Sequence, residues 1–247
     1  QLSKDLGEGF ELSKRIYASI VDLSDLDSIA NFARKLISMN DPIDTLALNA
    51  GLQYTGSNEP RWSSQGFELT FAVNHLGHQF LTQSIILLLL KSLTPRVVIT
   101  ASEVHNSKSP GGRIGIPANL GKLKGIKAGR GFKMIDGSPD FNADKAYKDS
   151  KLCNILFGRE LARRQNLDGN FFPVVTWAPG LVIPRTTKNF FRYSRSYNEI
   201  GQKMFAFLAR DVFAITEKVG NAGNILKEII TEKNYSSLPF SFYSNKL

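Results

Sequence analysis

Apolar and polar positions along this chain switch between two periods, and the switches mark its elements. Arg15-Ile16-Tyr17-Ala18-Ser19-Ile20-Val21 reads as a strand ending at Asp22-Leu23. Ser24 then caps a helix whose apolar residues (Leu26, Ile29, Phe32, Ala33, Leu36, Ile37) recur at helical spacing. Asp41-Pro42 breaks it. Ile43 to Leu48 is short and largely apolar, as expected of a parallel strand buried on both faces, and runs into Asn49-Ala50-Gly51. A loop with Gly56, Pro60 and Gly66 leads into a long helix over about Gly66 to Leu90. Arg96 to Ala101 is the next strand. Residues 106–142 have no clear period. They are Gly- and Pro-rich, and too long for an ordinary connection, which marks a functional segment or a disordered one.

Helical spacing resumes from Ala143 to Arg164. Phe171 to Trp177 is a strand stopped by Pro179-Gly180. Residues 184–214 read as short helices on a basic, aromatic surface. Thr216 to Thr231 is a final amphipathic helix, and Phe240-Ser241-Phe242-Tyr243 a short last strand. Strand–helix alternation predicts the α/β class: a doubly wound parallel sheet in three α/β/α layers. No linker divides residues 1–247, so they read as a single domain.

Composition narrows the chemistry. The chain has 247 residues and 42% apolar residues, enough for a sizeable core. One cysteine, Cys153, excludes an intramolecular disulfide and a multi-Cys metal site, and fits a reducing compartment. Three histidines (His75, His78, His105) make a His-rich metal centre improbable, and no metal is expected. The longest apolar run, Ile85 to Leu90, is far short of the roughly 20 residues that span a bilayer.

The net charge of +9 is uneven. Residues 1–100 hold 8 basic and 10 acidic side chains; residues 101–247 hold 23 and 12. Lys108 to Lys133 carries seven cations and no acid, and Arg185 to Arg210 carries six cations among aromatic residues. Either these form a solvated basic face, or they attract a phosphate-bearing cofactor, an anionic membrane or an acidic substrate. Charge alone permits nucleic acid, but no nucleic-acid motif accompanies it, and none is expected as a partner.

Helix 143–164 contains Tyr147-Lys148-Asp149-Ser150-Lys151. Tyr147 and Lys151 are four apart and share a face. A cation beside a phenol stabilises phenolate and makes the hydroxyl a usable proton donor or acceptor near neutrality. About 45 residues earlier a strand ends in Thr100-Ala101-Ser102, and a serine there lies on the ligand side of an open α/β sheet. Asn49-Ala50-Gly51 ends the preceding strand with small residues that let a backbone approach a ligand. Asn74-His75-Leu76-Gly77 lies on the helix between, and Pro179-Gly180-Leu181-Val182 ends the next strand.

This set, in this order, resembles the short-chain dehydrogenase/reductase superfamily over nearly all of the chain. The resemblance implies hydride transfer with NAD(P)(H). Tyr147 would be the catalytic acid/base. Lys151 would lower its pKa and hold the nicotinamide ribose. Ser102 would bind the substrate carbonyl, and Asn74 would anchor a water relay through Lys151. On the cofactor, Asp22-Leu23 would sit by the adenine, Asn49-Ala50-Gly51 along the adenosine, and Pro179, Gly180 and Val182 by the nicotinamide. Residues 184–214 would close over substrate.

A narrower likeness rests on several stretches. They are Ala146-Tyr147-Lys148-Asp149-Ser150-Lys151-Leu152-Cys153-Asn154, Pro117-Ala118-Asn119-Leu120-Gly121, Met134-Ile135-Asp136-Gly137, Glu59-Pro60, Gly66-Phe67-Glu68-Leu69 and Asn74-His75-Leu76-Gly77-His78. They look like the light-dependent protochlorophyllide oxidoreductases and their relatives. That likeness implies NADPH, reduction of a C=C bond in a large hydrophobic pigment, and peripheral association with an anionic membrane. It also implies chlorophyll biosynthesis in a plastid stroma or cytoplasm, and residues 106–142 as the family's insertion. A homo-oligomer stays open. Cys153 corresponds to a cysteine linked to the pigment site, although its position six residues after Tyr147 also suits a small buried core residue. Gln53, Gly51, Glu103-Val104 and Leu181-Val182-Ile183-Pro184-Arg185 depart from the pigment enzymes' pattern. Two other readings remain: a retinol-dehydrogenase-like carbonyl reductase, and a non-catalytic scaffold or binding protein that keeps the fold.

The family's Gly-rich turn, Thr-Gly-x-x-x-Gly-x-Gly, should precede the Asp22-Leu23 strand, and Gly7-Glu8-Gly9 does not replace it. The expectation is that about 40–50 residues carrying the first strands precede Gln1 in the complete protein.

Overall fold

The computed structural model describes residues 16–183, 200, 204, 207 and 216–245. Among these, four strands form one wholly parallel sheet: β1 (Thr45–Leu48), β2 (Arg96–Thr100), β3 (Val174–Ala178) and β4 (Phe240–Ser244), in that spatial order. Register runs Leu48 beside Ile99, Thr100 beside Trp177, and Ala178 beside Ser244.

Alternation along the strands divides the core. Leu48, Val97, Ile99 and Val174 face one way. They pack on Leu89 of helix α2 (Gly77–Leu90) and on Phe157 and Leu161 of helix α3 (Ala143–Leu167). Val98, Val175 and Trp177 face the other way, against Ala222 and Ile229 of helix α4 (Val219–Thr231). Helix α1 (Leu26–Met39) lies outside α2, with Ile29 and Ala33 against Leu81, Ile85 and Leu88. This is the three-layer α/β/α architecture that the sequence predicts.

Local chemistry explains where the elements start. Asp25, not Ser24, caps α1: its carboxylate accepts from Asp27 N at 3.0 Å, while Ser24 donates backward to Asp22 Oδ1. The expected helix from Gly66 begins instead at Leu69. There the buried Glu68 carboxylate accepts from Thr70 N and Phe71 N and from the Tyr54 hydroxyl. One short turn (Leu69–Phe71) leads into a π-helical turn (Ala72–Leu76) before α2.

The expected strand over Arg15 to Val21 does not form among its described residues. Residues 16–21 pair with no strand, and Tyr17 and Ile20 are 87% and 101% exposed. A β pattern becomes a strand only through a neighbour's ladder, and residues 16–21 join none among the described residues. The expected short helices over 184–214 fall almost wholly outside the described residues. Residues 106–142 are irregular, as read, yet packed: Phe132, Met134, Ile135 and Phe141 are all buried.

Candidate active site

Parallel strands deliver their carboxyl ends to one edge of the sheet, so Asn49-Ala50-Gly51, Ser102 and Pro179-Gly180 emerge together. Thr100 ties these ends to one another. Its hydroxyl donates to Asn49 Oδ1 at 2.8 Å and accepts from the Trp177 indole N–H at 3.0 Å. Its carbonyl accepts from Lys151 Nζ at 3.0 Å and from Asn154 Nδ2 at 3.3 Å, which fixes α3 against the end of β2.

That docking brings Tyr147, Ser102 and Lys151 together. The Ser102 side chain lies beside the Tyr147 phenol, and Lys151 Nζ lies 5.5 Å from the centre of the Tyr147 ring. Burial raises the phenol's pKa, and the neighbouring Ser102 side chain acts against it. Burial also pushes the Lys151 ammonium down, to about 8. Both groups are thus held closer to their neutral forms than they would be in water.

Asn74 is fully buried on the π-helical turn, an irregularity often found at functional sites. It accepts from Leu52 N at 2.7 Å and donates to Leu52 O and to Ser150 Oγ, each at 3.0 Å. Ser150 donates in turn to Tyr147 O at 2.7 Å. Asn74 therefore locks the loop after β1 to the turn of α3 that carries the phenol. Gly51 fits into the gap: a Cβ there would lie 3.3 Å from Asn74 Oδ1 and 3.5 Å from Lys151 Nζ.

The remaining predicted residues flank this centre. Asp22 is exposed, and Leu23 packs partly against α1 and α2. The Leu23 carbonyl sits where a Cβ on Gly77 would lie 2.5 Å away, three residues along the chain from Asn74. Gly180 holds a left-handed φ of +84° after Pro179, and Val182 pairs with Glu217 in an isolated parallel bridge.

Cys153 lies in the apolar cluster of Phe71, Phe132 and Ile135, and burial pushes its thiol up to about 12. These surroundings are those of a core residue. His75 and His78 are pushed down to about 4 by burial, and His105 packs on Phe242. Among the described residues no cluster of three or more His, Cys, Asp or Glu could hold a metal.

Sequence reasoning missed the hub residues Thr100 and Ser150, and read Asn154 only as part of a motif. A usable signal existed. Ser150 and Asn154 lie three and seven residues after Tyr147, so these polar positions continue its helical face.

The fold is one shared with solved short-chain dehydrogenases. Residues 2–114 match the family described as short chain dehydrogenase. Solved structures agree in fold. The Pseudomonas aeruginosa RhlG/NADP active-site complex gives a TM-score of 0.60 at 18% identity, over 92% of this chain and 73% of that one. The 3-alpha-hydroxysteroid dehydrogenase of Pseudomonas sp. B-0831, complexed with NADH, gives 0.60 at 20%, over 93% and 82%.

Curated relatives narrow the likeness. Protochlorophyllide reductase of Avena sativa is 38% identical over 154 residues, covering 60% of this chain and 49% of that protein. Protochlorophyllide reductase A, chloroplastic, of Arabidopsis thaliana is 38% identical over 154 residues, covering 60% and 38%. The chain thus aligns with half or less of the length of these relatives.

Proposed function

We propose that this chain is a nicotinamide-dependent reductase of a C=C or C=O bond in a large hydrophobic substrate, with NADPH as the cofactor and protochlorophyllide or a related pigment as the substrate class. The observation that carries this reading is Lys151, held by the Thr100 carbonyl, beside the ring of Tyr147, with Ser102 next to the phenol. The identity with protochlorophyllide reductases supports the pigment and the preference for NADPH.

The strand ends suit such a cofactor. Gly51 brings bare backbone close to Lys151 where a side chain would crowd Asn74, and the described residues give the Lys151 ammonium one acceptor for its three donors. Lys151 would hold the ribose, with Asn49-Ala50-Gly51 and Asp22-Leu23 on the adenosine side and Pro179, Gly180 and Val182 at the nicotinamide. When bound, the cofactor would supply the hydride. Ser102 would orient the substrate, and Tyr147 Oη would deliver the proton to the carbon or oxygen that completes the reduction. Lys151, charged below pH of about 8, would stabilise the phenolate left behind. Asn74 would keep the Gly51–Leu52 backbone and the Tyr147 turn in register.

The chloroplastic names of the relatives support a plastid stroma. No helix among the described residues is long and apolar enough to cross a membrane. The exposed cations of the 106–142 segment would meet an anionic lipid surface from outside. Turnover of NADPH with protochlorophyllide, in light and in darkness, tests the reading. Light-dependent product supports the pigment reductase, and product from retinal alone moves the assignment to a carbonyl reductase.

A further inference from the structure

Among the described residues, two well-buried cations belong to no step above. Lys145 and Lys148 are each 5% exposed, and they flank Tyr147 on one turn of α3. Both reach into the 106–142 segment. The Lys148 ammonium donates to three backbone carbonyls: Gly112 at 3.3 Å, Ile116 at 3.1 Å, and Ile114. An ammonium has three donors, so this set saturates it without a counter-ion. Lys145 donates to Asn119 O at 2.9 Å and pairs with Asp149 and Asp136; Asp149 also accepts from Asn119 N at 2.8 Å.

The stretch that Lys148 grips is continuous with Ser102. Ser102 O accepts from His105 N at 3.2 Å at the start of a 3-10 turn over Glu103–His105. Ser109 donates from Oγ to Glu103 O and Asn106 O, each at 2.8 Å, and caps the one-turn helix Pro110–Arg113 through Gly112 N at 3.1 Å. A run of hydrogen bonds thus leads from Ser102 to Gly112. Lys148 closes it onto the residue after Tyr147.

We infer that Lys148 is a positioning residue for the Ser102–Tyr147 pair, holding the loop that begins at Ser102 against the turn of α3 that carries the phenol, with Lys145 and Asp149 fixing the far end of the same segment. The two lysines are not spare surface charge. They set the distance across which serine and phenol meet. This rests on reading that pair as the acid/base centre, but its test needs no turnover.

The test uses the whole chain labelled with [13Cζ]tyrosine, with Tyr147→Phe assigning the Tyr147 resonance. The Cζ shift at pH 7 reports the hydrogen bond at the phenol. Lys148→Met keeps the length and loses the donors. It should move the Tyr147 resonance and raise amide exchange in residues 103–116 at least about tenfold. Lys148→Arg should restore both toward wild type. If Lys148→Met does not fold, Lys148→Gln, with two donors for three carbonyls, is read instead. A Tyr147 resonance unmoved in a folded variant overturns the proposal. So does a shift that Lys148→Arg fails to reverse. Loss of the acid/base reading would show separately, as turnover persisting in Tyr147→Phe.

Discussion

Lys151 donates from Nζ to the carbonyl of Thr100 at 3.0 Å, and this bond couples the helix that carries Tyr147 to the end of β2 that leads to Ser102. It also places an ammonium where burial opposes its charge, so stability and the role proposed for Lys151 pull in opposite directions.

Lys151→Met should separate the two. Lys151 falls from 10.5 to about 8 on burial. Between those values the unfolded chain holds the extra proton, so the residue's contribution to stability rises with pH, by at most about 1.4 kcal/mol per unit. Below pH 8 the cost of burying the charge is present in full. The variant should flatten the rise in urea midpoint from pH 8 to 10 relative to wild type. At pH 7 it should fold at least as well, yet lose on the order of 100-fold in turnover.

Gly77→Ala tests how Asp22-Leu23 is seated. The new Cβ would lie 2.5 Å from the Leu23 carbonyl oxygen. Alanine favours a helix by about 1 kcal/mol over glycine. Forcing a backbone oxygen aside typically costs about 1–3 kcal/mol, and here nothing flexible can give way. The clash should win, with a lower melting temperature and weaker NADPH binding, read by scanning calorimetry and by quenching of tryptophan fluorescence.

Cys153 should behave as core. Its thiol, pushed up to about 12, should resist an aromatic disulfide reagent at pH 7 in the folded chain and react at once in urea. Cys153→Ala should cost about 1 kcal/mol in a denaturant titration and leave turnover within about threefold of wild type. A collapse of turnover in a folded variant would return the thiol to the substrate side.

Much of this architecture is readable in the chain because period and burial agree. Arg96 to Ala101 and Phe172 to Trp177 are largely apolar runs that the fold buries, and Tyr147 and Lys151 share a helical face in any folded context; Ile43 to Leu48, read as buried on both faces, forms the edge of the described sheet, with Leu48 buried and Ala47 exposed. What failed depends on partners that a local pattern does not name. Ile16 to Val21 has a strand's composition, but no neighbouring ladder receives it. Glu68 reads as an ordinary helix residue until its carboxylate is seen buried against Tyr54 and two backbone amides. Lys145, Lys148 and Asp149 look like a solvated face, and their burial comes from a segment with no period of its own.

Tyr147→Phe is the most direct test of the central claim. The wild-type protein and this variant would be compared for NADPH binding and for NADPH-dependent reduction of protochlorophyllide under illumination. The account predicts unchanged NADPH affinity and a loss of turnover of at least about 100-fold. A folded variant that reduces the pigment at the wild-type rate would contradict it.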